Sequence, residues 1–505
     1  MQKFDKTLMW FRRDLRSFDN AALHHALITS RQVYCVFVYD REILDPLPRH
    51  DRRVEFIHDS VDELANELQQ MGGALIVRHA VAADDIVALA ELLDVEAVAA
   101  NRDYEPQAVR RDAFIATELE KKGRQLLLFK DQVIFEKEEV LSLAGKPFKM
   151  FTPYKNAWLR KLHTTPIPGD DDFYIRSYPI DTHCAHLAPP HAHFAQPLPS
   201  LEELGFARTN LKQVPIPTGM SGGARLFNEF LQRMTNYRDA RNFPAIKGTS
   251  YLSVHLRFGT VSIRAVARHA VEIMRSGEGA AGADNAGSDT WLSELIWRDF
   301  YFAILDGYPQ VVDHPFKPEY ERVTFETGPQ ADALFAAWCE GRTGYPLIDA
   351  GMMQLQQTGF MHNRLRMITA CFLIKDLGID WRRGDHFFAG QLNDYDLSAN
   401  NGGWQWAASS GAAAQPYFRI LNPTTQSEKF DPDGEFIKFY LPQLAKLSPK
   451  QTHAPWLQSA AVLEKAGVRL GDNYPYPIVQ HDEACRRTLE RYAVLKKVLT
   501  SQASS

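Results

Sequence analysis

Residues 33–78, VYCVFVYDREILDPLPRHDRRVEFIHDSVDELANELQQMGGALIVR, decide the fold of the amino-terminal part. VYCVFVY (33–39) is an unbroken apolar run, the pattern of a strand buried on both faces. From Val54 to Met71 the apolar residues fall at helical spacing, and ALIVR (74–78) reads as a second strand. The unit is β-α-β, and the alternation continues outward on both sides. TLMWF (7–11), VEAVAAN (95–101) and QLLLF (125–129) read as further strands, and Ala82 to Leu93 as another helix. These runs predict an α/β domain over 1–135, built on a doubly wound, Rossmann-like parallel sheet. No GxGxxG follows its first strand, and FRRDLR puts bulky residues where a dinucleotide loop needs glycine. A conventional NAD site is therefore disfavoured, while a ligand at the carboxyl ends of the strands stays open.

Between Pro166 and Pro217 the chain holds nine prolines and few periodic runs. This stretch is expected to be an extended connector within a linker over 136–220. It carries His183, Cys184, His186, His191 and His193, side chains that suit zinc. The spacing matches no common finger, Pro189 and Pro190 interrupt it, and it reads as a solvated loop; no metal site is expected. Past residue 220 strand signals vanish. ARLFNEFLQRM places Leu226, Phe227, Phe230, Leu231 and Met234 on one stripe. An all-α domain is expected over 221–492, with no fixed-period repeat and a frayed polar tail at 493–505.

A length of 505 residues allows two to four domains. With 45% hydrophobic, 11% aromatic and 24% charged residues, the chain is neither disordered nor collagen-like. Lys plus Arg number 57 against 62 Asp plus Glu, a net charge of -5, so any nucleic-acid site must be a local patch. Cys35, Cys184, Cys339, Cys371 and Cys485 are odd in number and form no CxxC pair, and read as reduced thiols. No apolar run reaches the roughly 18 residues of a membrane span, and the start shows no secretory pattern. A cytoplasmic protein without membrane contact is expected.

Three segments of the helical half mix polar and aromatic residues densely. In WLSELIWRDFY (291–301), helical spacing brings Trp291, Glu294, Trp297 or Arg298, and Tyr301 near one face. Two readings stay open: a half-exposed helix with an ion pair, or an apolar pocket whose carboxylate meets a polar ligand edge. In MHNRLRMITACFL, Asn363, Arg366, Met367 and Ala370 share a stripe, Arg364 projects elsewhere, and Leu365, Ile368 and Phe372 face the core. A buried arginine needs an anionic partner, and Asp394 or Asp396 is the candidate. Asn400, Asn401, Gly402 and Gly403 read as a turn-prone stretch open to close approach of a ligand. Thr249, Ser250 and Ser253 beside Gly248 offer donors to phosphate, or simply cap a helix.

The strings WFRRDLR, WLSELIWRDFY, TGFMHNRLRM, LNDYDLSANNGGWQWAASSG and PYFRILNPTTQSEKFD resemble the cryptochrome and photolyase family, most closely bacterial class I cyclobutane pyrimidine dimer photolyases. The resemblance spans almost the whole chain and is weakest in the connector. It implies an antenna domain, a long linker and a helical domain holding FAD, active when reduced and anionic. By motif, Tyr237, Thr249, Ser250, Leu252, Ser253 and Trp291 would contact FAD, with Asn363, Arg366, Asp394, Asp396 and Asn400 around its rings. Asn400 occupies the position beside flavin N5, where plant cryptochromes carry an acid. Glu294, Trp297, Met367 and Trp406 would form the lesion pocket. Arg241, Arg298, Arg364 and Arg419, with Asn363, would meet DNA. Flat tryptophan faces suit a flipped-out base pair, and apolar walls exclude water. Histidine replaces Met367 in (6-4) photolyases, so methionine argues against that lesion.

The resemblance implies light-driven splitting of cyclobutane dimers in ultraviolet-damaged DNA, by a monomer needing no protein partner and associated with the nucleoid when bound to damage. A blue-light receptor, a (6-4) photolyase and a DNA-free electron-transfer flavoprotein are the alternatives. The family reduces its flavin through three tryptophans. Trp404 and Trp381 match the first two; the third position falls at Phe325, a poor electron donor, with Tyr320, Trp338 or Tyr345 as replacements. Asn101 and Glu105 resemble antenna-site positions, but the position of a lysine that some folate-binding members use falls at Asp313 or a neighbour here. The resemblance favours methenyltetrahydrofolate over 8-hydroxy-5-deazaflavin.

Overall fold

The five apolar runs form five strands: β1 (Phe4–Phe11), β2 (Ser30–Asp40), β3 (Leu75–Ala80), β4 (Ala97–Asn101) and β5 (Gln125–Phe129). They are seen in a computed structural model that describes residues 3–167, 170–194, 197–276 and 285–495. The sheet order is β3-β2-β1-β4-β5 with every pair parallel, for example Leu8 opposite Tyr34 and Val98. Strand order reverses between β1 and β4, so the expected doubly wound sheet is present, with its switch point there. Helices Ala21–Thr29, Arg52–Gln70, Ala82–Leu92 and Pro106–Glu120 make the crossovers. Asn20 and Asp51 cap the first two by accepting the Leu23 and Arg53 amides. Leu8, Trp10, Val36, Val38 and Ile76 pack with Ile86, Leu89, Ile115 and Leu119, which explains why the strands read as continuous apolar runs.

The chain packs as two units that do not divide where its composition changes. One comprises Met1–Pro147, Pro153–Thr235 and Ser250–Asp306; the other comprises Phe148–Thr152, Asn236–Thr249 and Gly307–Ser505. Helices Ile263–Ser276 and Ala286–Gly307 thus belong with the sheet. One cause is visible at Gly287, whose backbone lies so close to Met234 and Thr235 that a Cβ there would sit 2.2 Å from the Met234 carbonyl oxygen. Residues 496–505 of the expected frayed tail lie outside the described residues.

The proline-rich connector is irregular, yet it is packed within the first unit. Leu187 bridges Val33 of β2, and Leu187, Leu201, Leu204, Phe206, Leu211, Val214 and Ile216 are buried. Apolar residues between the prolines anchor it, so it is not the free extended segment that its composition suggests. In the second unit, the core gathers Trp338, Leu347, Leu355, Leu365, Ile368, Leu373, Trp381, Phe388 and Trp404.

Candidate active site

In the second unit the polar stripe on helix Asn363–Cys371 meets the loop before helix Leu397–Ala407. Arg366 Nη2 donates to Asp394 Oδ2 at 2.7 Å, and Arg366 Nε donates to the Met361 carbonyl at 2.8 Å. Asp394, not Asp396, is therefore the partner of the half-buried arginine. The Asp394 side chain is only 3% exposed, and its other oxygen, Oδ1, has no hydrogen-bond partner among the described residues. A buried acceptor of that kind is costly unless something donates to it. Asp396 instead caps helix Leu397–Ala407 by accepting the Ser398 and Ala399 amides.

Asn400 to Gly403 form part of that helix and not a turn, because the Asp396 cap starts the helix before them. Asn400 Nδ2 donates to Asp385 Oδ1 at 2.6 Å and to the Asp385 carbonyl at 3.2 Å. Burial pushes the Asp385 carboxyl up to about 6. Sequence reasoning missed Asp385; its place one turn after Trp381, on the buried face of helix Trp381–Gln391, was the available signal.

Met367 and Trp406 are half-buried, and Asn363 and Arg419 are exposed. Arg364 is not simply solvated: Nη2 donates to Asn242 Oδ1 at 2.6 Å, and the guanidinium lies 4.4 Å from the Phe430 ring centre. Arg241 stacks similarly on buried Tyr237, at 5.3 Å.

Trp404 and Trp381 are both 2% exposed. Trp404 packs edge-on to Phe388 and Trp338, at 5.0 and 6.1 Å between centres. Its ring also presses on Gly384, where a Cβ would stand 2.1 Å from Trp404 Cη2. Gly384 lies three residues after Trp381 on the same helix, a rise of about 4.5 Å. Trp381 in turn lines a cavity of about 570 Å³ with Tyr320, Phe325 and Tyr492. Of the three replacements considered for Phe325, only Tyr320 lines that cavity; Trp338 and Tyr345 are buried elsewhere in the core.

In the first unit, Trp291 is buried with its ring 4.7 Å from Phe230, while Glu294 and Trp297 are half-buried on the next turns of helix Ala286–Gly307. Trp297 lies 5.5 Å from Tyr301, whose phenol is pushed up by burial and by the charge of Glu294. Arg298 spends its guanidinium on the backbone carbonyls of Gln132 and Leu256, with the Phe302 ring 4.7 Å below it. That placement makes Arg298 an internal brace in this structure. Beside it Asp299, missed in the sequence, accepts from the Ile134 and Phe135 amides and from Trp158 Nε1 at 3.0–3.2 Å.

Leu252 and Ser250 are buried, and Ser250 Oγ accepts the Leu252 amide at 3.3 Å. Tyr251 between them has φ 59°, a left-handed conformation that strains a non-glycine residue. Ser253 Oγ is buried without a hydrogen-bond partner among the described residues. Thr249, which falls in the second unit, is not a simple cap either, since helix Ser253–Phe258 has no side-chain cap.

At the sheet, Asn101 ends β4 and is 2% exposed. Its amide donates to Asp14 and Asn20, and its oxygen accepts the Ala22 amide. Glu105 accepts from Arg13 at 3.0 Å and Arg257 at 2.6 Å. Both expected antenna residues are therefore engaged within the first unit.

Residues 7–170 match the DNA photolyase family, and residues 291–494 match the FAD binding domain of DNA photolyase. The chain is 38% identical over 503 residues to a deoxyribodipyrimidine photo-lyase of Escherichia coli, covering 97% of this chain and 99% of that protein. A deoxyribodipyrimidine photo-lyase of Vibrio cholerae is 37% identical over 500 residues, covering 97% and 99%. Among solved structures, a bacterial class III photolyase from Agrobacterium tumefaciens superposes with a TM-score of 0.86 at 32% identity, covering 98% of this chain and 99% of that one. A Synechocystis cryptochrome superposes with a TM-score of 0.84 at 26% identity, covering 97% and 100%.

Proposed function

The chain belongs to the DNA photolyase family, and on that ground we propose that it is a FAD-dependent lyase that uses light to split cyclobutane pyrimidine dimers in ultraviolet-damaged DNA. The observation that carries this reading is the likeness to deoxyribodipyrimidine photo-lyases along nearly the full length of both chains. A buried acceptor fits a bound flavin nucleotide: Asp394 Oδ1 lacks a hydrogen-bond partner among the described residues. Tyr237, Thr249, Ser250, Leu252, Ser253 and Trp291 would hold its phosphate and sugar chain, and Asn363, Arg366, Asp394, Asp396 and Asn400 its rings. When bound, reduced and excited, FAD supplies the electron that opens the cyclobutane ring, and takes it back.

The protein's residues bind, orient and exclude water. Arg366 neutralises Asp394. Asp385 takes the Asn400 amide nitrogen, which leaves Asn400 Oδ1 to accept from a reduced ring N–H without bringing a charge. Above pH about 6 the Asp385 carboxylate holds Asn400 in this way; below it, protonation removes the charge that accepts the amide. The reduced-flavin absorption is expected to titrate near pH 6 in the wild type, and the transition is expected to vanish in Asp385→Asn. A transition unchanged in that variant would assign it to another group.

Glu294 would meet the pyrimidine edge, with Trp297, Met367 and Trp406 as apolar walls, and Arg241, Arg364 and Arg419 would meet DNA phosphates. Arg298 serves this set through its brace on Gln132 and Leu256. Glu294→Ala should retain FAD and lose about 1.5–3 kcal/mol, the worth of the hydrogen bond that a proton shared with Glu294 would donate to the dimer anion. That loss equals roughly a tenfold to hundredfold drop in splitting. Full splitting efficiency in Glu294→Ala would exclude the contact.

For photoreduction we assign Trp404, then Trp381, then the cavity that Tyr320 and Tyr492 line in place of a third tryptophan. The antenna chromophore we take to be methenyltetrahydrofolate, with Asn101 and Glu105 supporting its site's wall. Residues 1–135 are read as the antenna domain, 136–220 as the linker and 221–492 as the catalytic domain. Among the described residues no helix is long and apolar enough to cross a membrane. We propose a cytoplasmic monomer that joins the nucleoid at damage.

The deciding assay restores thymines in ultraviolet-irradiated DNA under blue light, with a dark control. Restoration in light alone is expected. Its absence with reduced FAD bound would instead favour the receptor reading, to which the cryptochrome likeness points.

A further inference from the structure

The first unit carries a constellation that photorepair does not use. His58 lies on helix Arg52–Gln70 and is only 7% exposed. Its Nε2 stands 3.0 Å from the Pro199 carbonyl, which can only accept, so Nε2 carries a proton. Nδ1 has no hydrogen-bond partner among the described residues. It is aimed at Asp59 Oδ1 and Asp62 Oδ2, each 3.6 Å away, and the three groups' donor atoms all lie within 4.8 Å of one another. Two carboxylates at that distance favour a positive centre among the three groups, either a proton on Nδ1 or a metal ion.

We propose that His58, Asp59 and Asp62 form a binding site for a divalent first-row transition metal ion, Zn²⁺ foremost. Donor atoms held 2.0–2.2 Å from one tetrahedral ion are about 3.3–3.5 Å apart, so the 3.6 Å separations at His58 need only a small closure. Imidazole with two carboxylates suits zinc, cobalt or manganese better than calcium or magnesium, which take oxygen ligands. The local charge agrees. Arg208 Nη1 pairs with Asp59 Oδ1 at 2.7 Å and with Glu55 Oε1 at 3.2 Å. Asp51, Glu55, Asp59 and Asp62 against Arg52, Arg53 and Arg208 leave one net negative charge beside the site. The Asp62 side chain is 43% exposed, giving an entry path and room for water in the open position.

The supporting contacts also match a metal centre. A ligating histidine commonly donates its other ring nitrogen to a backbone carbonyl, as His58 does to Pro199. Pro199 and Arg208 both come from the proline-rich connector, so the ion would tie that segment to helix Arg52–Gln70.

The test uses the FAD-containing protein, stripped by chelator, titrated with Zn²⁺ by calorimetry and with Co²⁺ by visible absorption. One equivalent of each metal should bind, with tetrahedral Co²⁺ bands that Zn²⁺ displaces. Asp62→Asn keeps the exposed side chain's shape, and its retained flavin spectrum reports folding. It should weaken Zn²⁺ by more than the roughly 10-fold to 100-fold that loss of a supporting contact costs. His58→Gln should do the same. Unchanged Zn²⁺ affinity in both variants overturns the proposal. So does a wild-type protein that binds no metal, with His58 protonated on both ring nitrogens by NMR, the positive centre then being a proton. Neither readout depends on DNA repair, so this proposal and the photolyase reading fail separately.

Discussion

Trp404→Phe is expected to abolish photoreduction of oxidised flavin while repair by chemically pre-reduced enzyme stays at the wild-type rate. Trp404 is buried, held by Phe388, Trp338 and the bare backbone of Gly384. Phenylalanine keeps most of that packing but is far harder to oxidise, so the change separates electron supply from structure. The measurement is the decay of oxidised-flavin absorbance under blue light with an external reductant, followed by splitting assayed after dithionite. Trp338→Phe serves as the control: Trp338 touches Trp404 but is fully buried, with its Nε1 donating to the Thr369 carbonyl. Photoreduction surviving in Trp404→Phe would remove Trp404 from the path.

The second large effect is expected at Arg366. Arg366→Met removes the only ion-pair partner of Asp394 among the described residues and leaves a carboxylate whose side chain is 3% exposed. Breaking a buried pair by deleting one member costs about 3–5 kcal/mol, because the remaining charge stays unsolvated. Loss of bound flavin on purification and a clear drop in thermal stability should follow. Adding Asp394→Asn removes the stranded charge and should recover most of the stability but not the flavin. If Arg366→Met alone retained full flavin content, the pair would be structural only. Recovery of flavin in the double variant would point the same way.

Much of this was legible in the chain. All five strands stand where apolar runs predicted them: β1, β2 and β4 are largely buried, and a strand covered on both faces has no room for polar residues, while the edge strands β3 and β5 are half-buried. The Arg366 partnership was anticipated in kind, and burial chose Asp394 over Asp396. What escaped were features set by packing across long sequence separations. The connector's prolines announced irregular backbone but not the buried Leu187, Phe206 and Ile216 that anchor it. Asn400 to Gly403 look like a turn by composition, and a single cap, Asp396, makes them helical. Arg298 has the spacing of a ligand contact, yet its donors serve Gln132 and Leu256, residues distant in sequence. Asp385 lies in none of the quoted strings, and Asp299 sits inside WLSELIWRDFY without a distinguishing spacing; the importance of both comes from what their carboxylates accept.

The close seating of Trp404 on Gly384 has a kinetic corollary. The gap between the Trp404 and Trp381 rings is set by one turn of a single helix and by hard contact with bare backbone, not by a mobile loop. On the proposed photoreduction path, charge hopping between them therefore needs no conformational search. The hop should persist in a frozen glass, where motions of loops and side chains have stopped, and should show almost no dependence on solvent viscosity.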